Sequence, residues 1–205
     1  MKNYLIEIAG KKYAGYDTHW KEYEEQEHVL DIATGHDFSG EGFYLISDFG
    51  QSIDIRMVKG DRKYSEILLA KQLRDEGEVV GSVEIVVAQK NKINEQTSSV
   101  VFQSVGLKEY TRYSTISQTS TKHRLLIPYT KIFSRLIKRY GSKDCCGVML
   151  LNKGNEVDIL MYKGEEIIVA KSQKIFETDL DDEAFAALMR EPIARLAQKN
   201  GIEIL

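Results

Sequence analysis

The strongest hydrophobic pattern in the chain lies in residues 147–173, GVMLLNKGNEVDILMYKGEEIIVAKSQ. Three runs rich in Val, Ile, Leu and Met are separated by two short polar segments that contain Gly154 and Gly164. Short apolar runs bounded by Gly and Asn, without a helical period, are typical of strands joined by tight turns. The pattern therefore predicts a three-stranded β-meander.

A second strand-rich block precedes it. Residues 42–47 (GFYLIS) are predicted as a buried strand, residues 48–52 (DFGQS) as a turn, and residues 52–58 (SIDIRMV) as a strand with alternating apolar positions. The segment 63–73 begins like a strand and ends like a helix. SVEIVVAQ, residues 82–89, is a further buried strand. The block therefore contains β-β-β, a helix and a strand.

Two helices are predicted in the C-terminal half. Residues 128–140 start with a proline, which suits the first helical position, and carry apolar side chains at helical spacing. Residues 181–200 start with acidic residues and contain Pro192, which we expect to kink the helix. IEIL, residues 202–205, is predicted as a last strand.

The remaining segments carry weaker patterns. Residues 3–8 and 12–16 are predicted as strands, whereas residues 19–33 fit either a helix or a strand. Residues 90–99 are predicted as a polar loop. Residues 111–123, rich in Ser and Thr, are predicted to be a mobile or exposed segment.

The order of these elements predicts the architecture. From residue 147 it is β-β-β-α-β, and the block 42–89 repeats it. A strand that follows a helix usually returns parallel to an earlier strand. We therefore expect an α/β protein with two β-β-β-α-β units, divided into subdomains 1–127 and 128–205 that pack as one compact module.

Composition narrows the functional classes. The 205 residues include 28 Lys and Arg against 31 Asp and Glu, a net charge of −3, which argues against nucleic-acid binding. No apolar run reaches the length of a membrane span, so we expect membrane contact only through a segment outside this chain. Cys145 and Cys146 are adjacent and cannot form a disulfide framework, which favours a reducing, cytoplasmic setting.

The turns DFGQS (residues 48–52) and NKGN (residues 152–155), with the duplicated element order, resemble the ribonuclease-H-like units of the actin-like ATPase superfamily. In that superfamily two such turns face each other across a cleft and hold nucleotide phosphates. The turn spacing, the segment LLIPYTKIFSRLIKRYG and the long helix after the second meander most resemble PilM and the cytoplasmic part of GspL-type proteins. These proteins belong to type IV pilus and type II secretion machines, and the resemblance covers residues 42–205.

The resemblance implies candidate phosphate contacts at Asp48, Gly50, Ser52 and Gly154. Asn152, however, stands where a carboxylate for Mg²⁺ is expected, and an amide is a poorer ligand for a hard cation. No P-loop or GxGxxG motif is present. We therefore expect vestigial phosphate turns, no ATP cofactor and no enzymatic activity.

Two functions follow from the resemblance. The first is a non-catalytic cytoplasmic assembly domain of a pilus or secretion inner-membrane platform, binding a platform protein or the assembly ATPase. Homodimerisation is a further option. The alternative is an ATP-binding actin-like enzyme, kept open by the Asp48-x-Gly50 turn. A third interpretation is an unrelated α/β binding domain.

Other polar residues have simpler explanations. Asp48 and Asp54 could form a metal site, but we favour a turn cap for Asp48 and solvated strand positions for Asp54 and its counterpart Asp158. Cys145 and Cys146 are interpreted as small apolar core residues. The histidines lack metal-ligand spacing; they are His19, His28, His36 and His123.

The helix predicted at residues 128–140 has a basic face formed by Lys131, Arg135, Lys138 and Arg139. Such a face could meet an acidic partner or lipid headgroups. An ordinary solvated helix face is the more common explanation of this pattern.

Overall fold

The computed structural model describes residues 3–16, 19–23, 32, 43–118, 125–140, 146–177 and 180–202. Within these ranges the chain alternates strands and helices. The strands are β1 (Asn3–Ile8), β2 (Lys11–Tyr16), β3 (His19–Tyr23), β4 (Phe43–Ser47), β5 (Ile53–Lys59), β6 (Val83–Asn94), β7 (Thr97–Gly106), β8 (Leu125–Pro128), β9 (Cys146–Asn152), β10 (Glu156–Lys163) and β11 (Glu166–Lys174). The helices are α1 (Ser65–Asp75), α2 (Leu107–Gln118), α3 (Tyr129–Tyr140) and α4 (Asp182–Lys199), and a 3₁₀ turn (Arg62–Tyr64) precedes α1.

The strands form two sheets. The first has the order β3-β2-β1-β4-β8, with β1, β2 and β3 antiparallel and β1, β4 and β8 parallel. The second has the order β6-β7-β5-β11-β10-β9 and is antiparallel throughout. This second sheet takes strands from both sides of the expected 127/128 boundary, and the division into two subdomains stays a prediction.

The first sheet packs on the second through a shared aromatic and aliphatic core. Leu5 of β1 and Leu45 of β4 are buried with Phe49, and Val105 of β7 and Tyr113 of α2 join them from the other side. Full burial of each such side chain contributes about 1.5–3 kcal/mol. The core therefore joins the five-stranded sheet to β7 and α2.

Strand β10 is buried on both of its faces. Val157, Ile159 and Met161 pack against Met189 of α4. Leu160 faces the opposite side, in a cluster that includes Phe133 of α3. Because side chains alternate along a strand, a helix on each side explains why this strand is apolar almost without interruption.

The second half of the chain confirms the strongest predictions. The meander 147–173 forms β9, β10 and β11, and helices occupy both predicted segments. Asp181 caps α4 by accepting a hydrogen bond from the Ala184 amide at 2.8 Å, and the helix continues through Pro192. Pro128 is the last residue of β8, so α3 begins at Tyr129, one position later than predicted. The predicted last strand lies mainly outside the described residues.

The first half shows one larger difference. Residues 42–58 contain two strands and a turn as predicted, but β4 belongs to the five-stranded sheet and β5 to the six-stranded sheet. The 48–52 turn is therefore a passage between sheets and not a hairpin. The meander that precedes β4 is formed by β1, β2 and β3, and the ambiguous residues 19–23 adopt a strand.

Two segments predicted to be irregular are regular. Residues 90–99 lie largely in the β6–β7 hairpin, where the Asn94 side chain accepts a hydrogen bond from the Gln96 amide at the tip. Residues 111–118 belong to α2, in which Thr111, Arg112 and Thr115 are exposed. Tyr113 anchors this helix in the core, and Thr111 and Thr115 donate their hydroxyl protons to carbonyls four residues earlier. Residues 119–123 lie outside the described part.

Candidate functional site

Three turns meet where the two sheets approach each other. They are the β1–β2 turn (residues 9–10), the β4–β5 connection (residues 48–52) and the β9–β10 turn (residues 153–155). We call this region the turn junction. Three of the four residues predicted to contact phosphate lie on the second turn, and Gly154 lies on the third. The structure therefore brings the predicted phosphate residues together.

Asp48 holds two of these turns to each other. Its side chain is 2% exposed and accepts hydrogen bonds from the Ala9 amide at 2.9 Å and the Gly50 amide at 3.0 Å. Its own amide donates to the Glu7 carbonyl at 3.1 Å. Asp48 thus caps its own turn, as predicted, and also fastens the β1–β2 turn.

The backbone at these turns lies in the left-handed region, with φ of +56° at Ala9, +54° at Phe49 and +59° at Gly50. For a residue with a side chain this conformation costs roughly 1–2 kcal/mol. The Phe49 amide donates to Ser47 Oγ at 2.9 Å, and the buried Phe49 ring lies edge-on to Tyr113 with centroids 5.1 Å apart. These contacts offset the strain.

A buried lysine joins the second turn to the third. The Lys153 side chain is 7% exposed, and its Nζ donates to the Gln51 carbonyl at 3.0 Å. It also lies 3.1 Å from Asp158 Oδ2 and 3.3 Å from Glu156 Oε1. The Ser52 hydroxyl donates to the same Glu156 carboxylate. One ammonium group therefore pairs with two carboxylates and joins the β9–β10 turn to the connection between the sheets.

Asp158 is the innermost group of the junction, and its prediction as a solvated strand residue is wrong. Its side chain is fully buried and accepts hydrogen bonds from the Tyr129 and Ser172 hydroxyls in addition to its ion pair with Lys153. Burial raises the pKa of Asp158, while these three donors act in the opposite direction. Burial and the neighbouring carboxylate raise the pKa of the Tyr129 phenol.

Gln103 of β7 supports the junction from below. Its side-chain Nε2 is buried and donates to the carbonyls of Asp48 at 2.8 Å and Gln51 at 3.0 Å. On the other side of Asp48, the Tyr113 hydroxyl donates to Glu7 at 2.7 Å. Burial, reinforced by that carboxylate, raises the pKa of Tyr113.

The groups predicted to bind phosphate have partners within the chain. The Gly50 amide donates to Asp48, and the Gly154 amide donates to Asn152 Oδ1 at 2.9 Å. The Ser52 hydroxyl donates to Glu156. Each of these three donors therefore already has an acceptor inside the chain.

Asp54 lies apart from Asp48. Its Oδ2 forms an ion pair with Arg56 Nε at 3.0 Å. Arg56 Nη2 also pairs with Glu78 Oε1 at 2.7 Å on the half-exposed face of β5. The two carboxylates predicted as an alternative metal pair therefore have separate partners. Across the described ranges no group of three or more His, Cys, Asp or Glu side chains could hold a metal ion.

Cys146 is exposed at the start of β9, so its interpretation as a core residue is wrong; Cys145 is outside the described residues. His19 is exposed on β3, and the other three histidines are outside the described residues. No helix in the part that the structure describes combines the length and hydropathy needed to cross a membrane.

The basic residues of α3 are exposed. Lys131, Arg135 and Lys138 line one groove together with residues 88–91 of β6 and the β10–β11 turn. Arg139 is exposed on the same helix and does not line this groove. The predicted partner-binding residues are thus mostly gathered on one surface.

Comparison with solved structures defines the class: the chain has an actin-like fold. It is similar to a protein of Bacteroides thetaiotaomicron with an actin-like ATPase fold and unknown function, at 10% identity and a TM-score of 0.52, covering 98% of this chain and 77% of that one. No protein-family model and no curated protein sequence matches.

Two secretion-related structures are also similar. A chain of the PilM–PilN type IV pilus biogenesis complex has 9% identity and a TM-score of 0.58, with 95% of this chain and 74% of that one covered. The cytoplasmic domain of EpsL, an inner-membrane component of the Vibrio cholerae type II secretion system, has 12% identity and a TM-score of 0.49, with 84% and 71% covered. The PilM–PilN similarity supports the same fold.

Several residues of the junction were absent from the sequence prediction, namely Tyr129, Lys153, Glu156, Ser172 and Gln103. One signal was available. Asp158 interrupts the apolar run VDILM of β10, and a charge in a strand buried on both faces requires a partner. Lys153 is the nearest cationic candidate before it in the sequence.

Proposed function

We propose that this chain is a non-catalytic scaffold domain on the cytoplasmic side of a type IV pilus or type II secretion platform, where it binds a platform protein or the assembly ATPase. The support is the actin-like fold shared with a chain of the PilM–PilN complex, combined with a turn junction in which the Gly50, Ser52 and Gly154 donors already have acceptors inside the chain.

The non-catalytic part of the proposal rests on the burial of Lys153 and on its two carboxylate neighbours. A phosphate-binding lysine needs a positive charge that is open to the ligand. Lys153 is 7% exposed and already lies between Asp158 and Glu156. A polyphosphate brought to it would meet two carboxylates at close range, and like charges in a buried setting repel strongly.

Among the described residues, the junction also lacks the parts that a nucleotide with Mg²⁺ requires. The Gly50 amide donates to the Asp48 side chain, and the Gly154 amide donates to Asn152 Oδ1, which is therefore already engaged. These residues do not fit a nucleoside triphosphate and its cation. We therefore assign no phosphoryl chemistry to the junction.

Calorimetric titration with ATP and Mg²⁺ tests the non-catalytic part. We expect no binding heat up to about 1 mM ATP. Any binding free energy is then weaker than about −4 kcal/mol, the value for a dissociation constant of about 1 mM. Asp48→Ala is an unsuitable site variant because Asp48 holds two turns. Glu156→Gln is better, since it removes a negative charge. Measurable ATP binding that becomes tighter in Glu156→Gln would refute the proposal.

Binding to purified partners tests the scaffold part. The cytoplasmic segments of the host's inner-membrane platform proteins, and its assembly ATPase, are titrated into the intact chain at low and at physiological salt. We expect at least one to bind with a dissociation constant in the micromolar range or tighter. A periplasmic domain of the same system is the control. If none of the cytoplasmic candidates binds at either salt concentration, the scaffold function is wrong.

A further inference from the structure

We infer that the groove between α3 and β6 docks an acidic segment of the partner protein. The existence of a protein partner rests on the function proposed above. The position of the groove and the chemistry of its occupant rest on the geometry and charges described next.

The groove has a volume of 520 Å³ and is lined by three segments. The first is α3, which presents Lys131, Arg135 and Lys138. The second is residues 88–91 of β6, which we call the floor, and the third is Glu165 with Glu166, the first residue of β11. Four cationic side chains line it, counting Lys90, against two carboxylates. In a chain of net charge −3, this is a local excess of positive charge.

The floor of the groove is held in shape by an unusual contact. The Gln89 side chain accepts a hydrogen bond from the Ile167 amide at 3.2 Å and donates to the Ile167 carbonyl at 3.4 Å. It therefore pairs with the backbone of β11 as a neighbouring strand would. Phe133 of α3 packs edge-on to Tyr129, with centroids 5.4 Å apart, and anchors the helix. A preformed groove binds with a smaller ordering cost.

Two of the four cations have no carboxylate partner among the residues that the structure describes. Lys138 lies 3.5 Å from Glu165, and Lys90 lies 2.7 Å from Glu66. For Lys131 and Arg135, no carboxylate oxygen of the described residues is within the 4.0 Å of an ion pair. These two side chains are exposed and are the groups that an incoming ligand can engage.

Their spacing points to a peptide. Residues four apart on a helix lie about 6 Å from each other on one face. Carboxylates two residues apart on an extended peptide are separated by about 6.6–6.8 Å and point to the same side. The arginine can bind one carboxylate through two hydrogen bonds. An acidic segment with alternate Asp or Glu residues therefore matches Lys131 and Arg135.

The charges that line the groove argue against a lipid surface as the occupant. Glu165 and Glu166 line it beside the cations, and both are exposed. A flat anionic bilayer would bring many headgroups against these carboxylates, whereas a single acidic segment can lie along Lys131 and Arg135. Like charges brought together cost affinity, so the groove selects a narrow acidic ligand.

The test uses a fluorescein-labelled octaglutamate peptide and fluorescence anisotropy on the intact chain. The groove variant is Lys131→Glu/Arg135→Glu. The matched control is Lys108→Glu/Arg112→Glu on α2, which has the same spacing, exposure and charge change. Circular dichroism and thermal melting verify that both variants are folded. A milder pair, Lys131→Gln/Arg135→Gln, replaces the charge reversal if that variant melts early.

We expect the groove variant to bind octaglutamate at least about tenfold more weakly, equivalent to losing about 1.4 kcal/mol, while the control stays within about twofold. Equal weakening in both variants would show a general charge effect and overturn the inference. So would binding to phosphatidylglycerol vesicles that depends on Lys131 and Arg135 in the absence of peptide binding.

The platform-protein titration separates this inference from the proposed function. If a platform segment binds the groove variant as tightly as the native chain, the docking site is wrong and the scaffold function stands. If no platform segment binds the native chain, the scaffold function fails, whatever the result with octaglutamate. A platform segment that binds the native chain and loses at least about tenfold in the groove variant supports both.

Discussion

Replacing Asp158 by Asn is the most informative perturbation of the turn junction. The substitution keeps the shape of the side chain but removes the charge that neutralises Lys153, whose ammonium lies 3.1 Å away and is 7% exposed. Removing one partner of a buried ion pair costs about 3–5 kcal/mol, because the other charge remains buried.

Two features of the structure reduce that figure. Lys153 keeps Glu156 at 3.3 Å, and Asn can still accept a hydrogen bond from Tyr129 or Ser172. The raised pKa of Asp158 also shows that its ionised form is only partly compensated. We therefore expect a loss of about 2 kcal/mol in the free energy of unfolding, or roughly 4–8 °C in Tm for a chain of this size.

Urea denaturation followed by circular dichroism measures the effect, with an unchanged m-value showing that the folded and unfolded states are comparable. Asp54→Asn is the control. Asp54 is partly exposed, and its partner Arg56 keeps Glu78, so the loss of unfolding free energy in Asp54→Asn should stay below about 1 kcal/mol.

A second variant, Lys153→Met, closes a double-mutant cycle with Asp158→Asn, for which we expect a coupling energy above about 1 kcal/mol. A stability change under about 0.5 kcal/mol in Asp158→Asn would refute the assigned role of the ion pair.

Three further predictions follow from the junction. The pKa of Tyr129 is raised in the folded state, so the folded phenol keeps its proton at a pH where the unfolded one loses it. The free energy of unfolding should therefore fall by about 1.4 kcal/mol per pH unit above about pH 10. Tyr129→Phe should remove this part of the pH dependence, measured by denaturation at alkaline pH. Gln103→Leu leaves two carbonyls without their buried donor and should destabilise the chain by about 2–4 kcal/mol, measured in urea; a loss below about 1 kcal/mol would contradict this. Gly50→Ala introduces a side chain at φ +59° and should cost about 1 kcal/mol in the same assay, whereas Gly106→Ala, at a position with open space and no positive φ, should cost less.

The sequence was most informative where a pattern is local. Gly, Asn and short apolar runs defined the meander of β9, β10 and β11, and helical spacing located α3 and α4. Strand pairing, in contrast, is decided by distant residues. Nothing in residues 42–58 shows that β4 pairs with β1 and β8 while β5 pairs with β7 and β11. The passage between sheets at the 48–52 turn was therefore invisible to a local pattern.

Asp54 and Asp158 are the same residue type, but the sequence around each predicts a different exposure of the side chain. Asp54 lies in IDIRMV, where polar and apolar positions alternate, and its side chain is partly exposed. Asp158 lies in VDILM, where no alternation remains, and its side chain is fully buried. A period of two indicates one solvated face, and its loss indicates burial on both faces. The difference was readable, but the partners of Asp158 were not, because Tyr129 and Ser172 come from other elements.

The buried hydrogen bond between the Tyr129 hydroxyl and the Asp158 carboxylate has a mechanical consequence. Tyr129 directly follows β8 of the first sheet, and Asp158 lies on β10 of the second. The bond is shielded from water, so solvent cannot replace it as it lengthens, and the Lys153–Gln51 contact shares any load placed between the sheets. The two halves should therefore move as one body. A displacement imposed on one sheet should therefore be transmitted to the other through these two buried contacts.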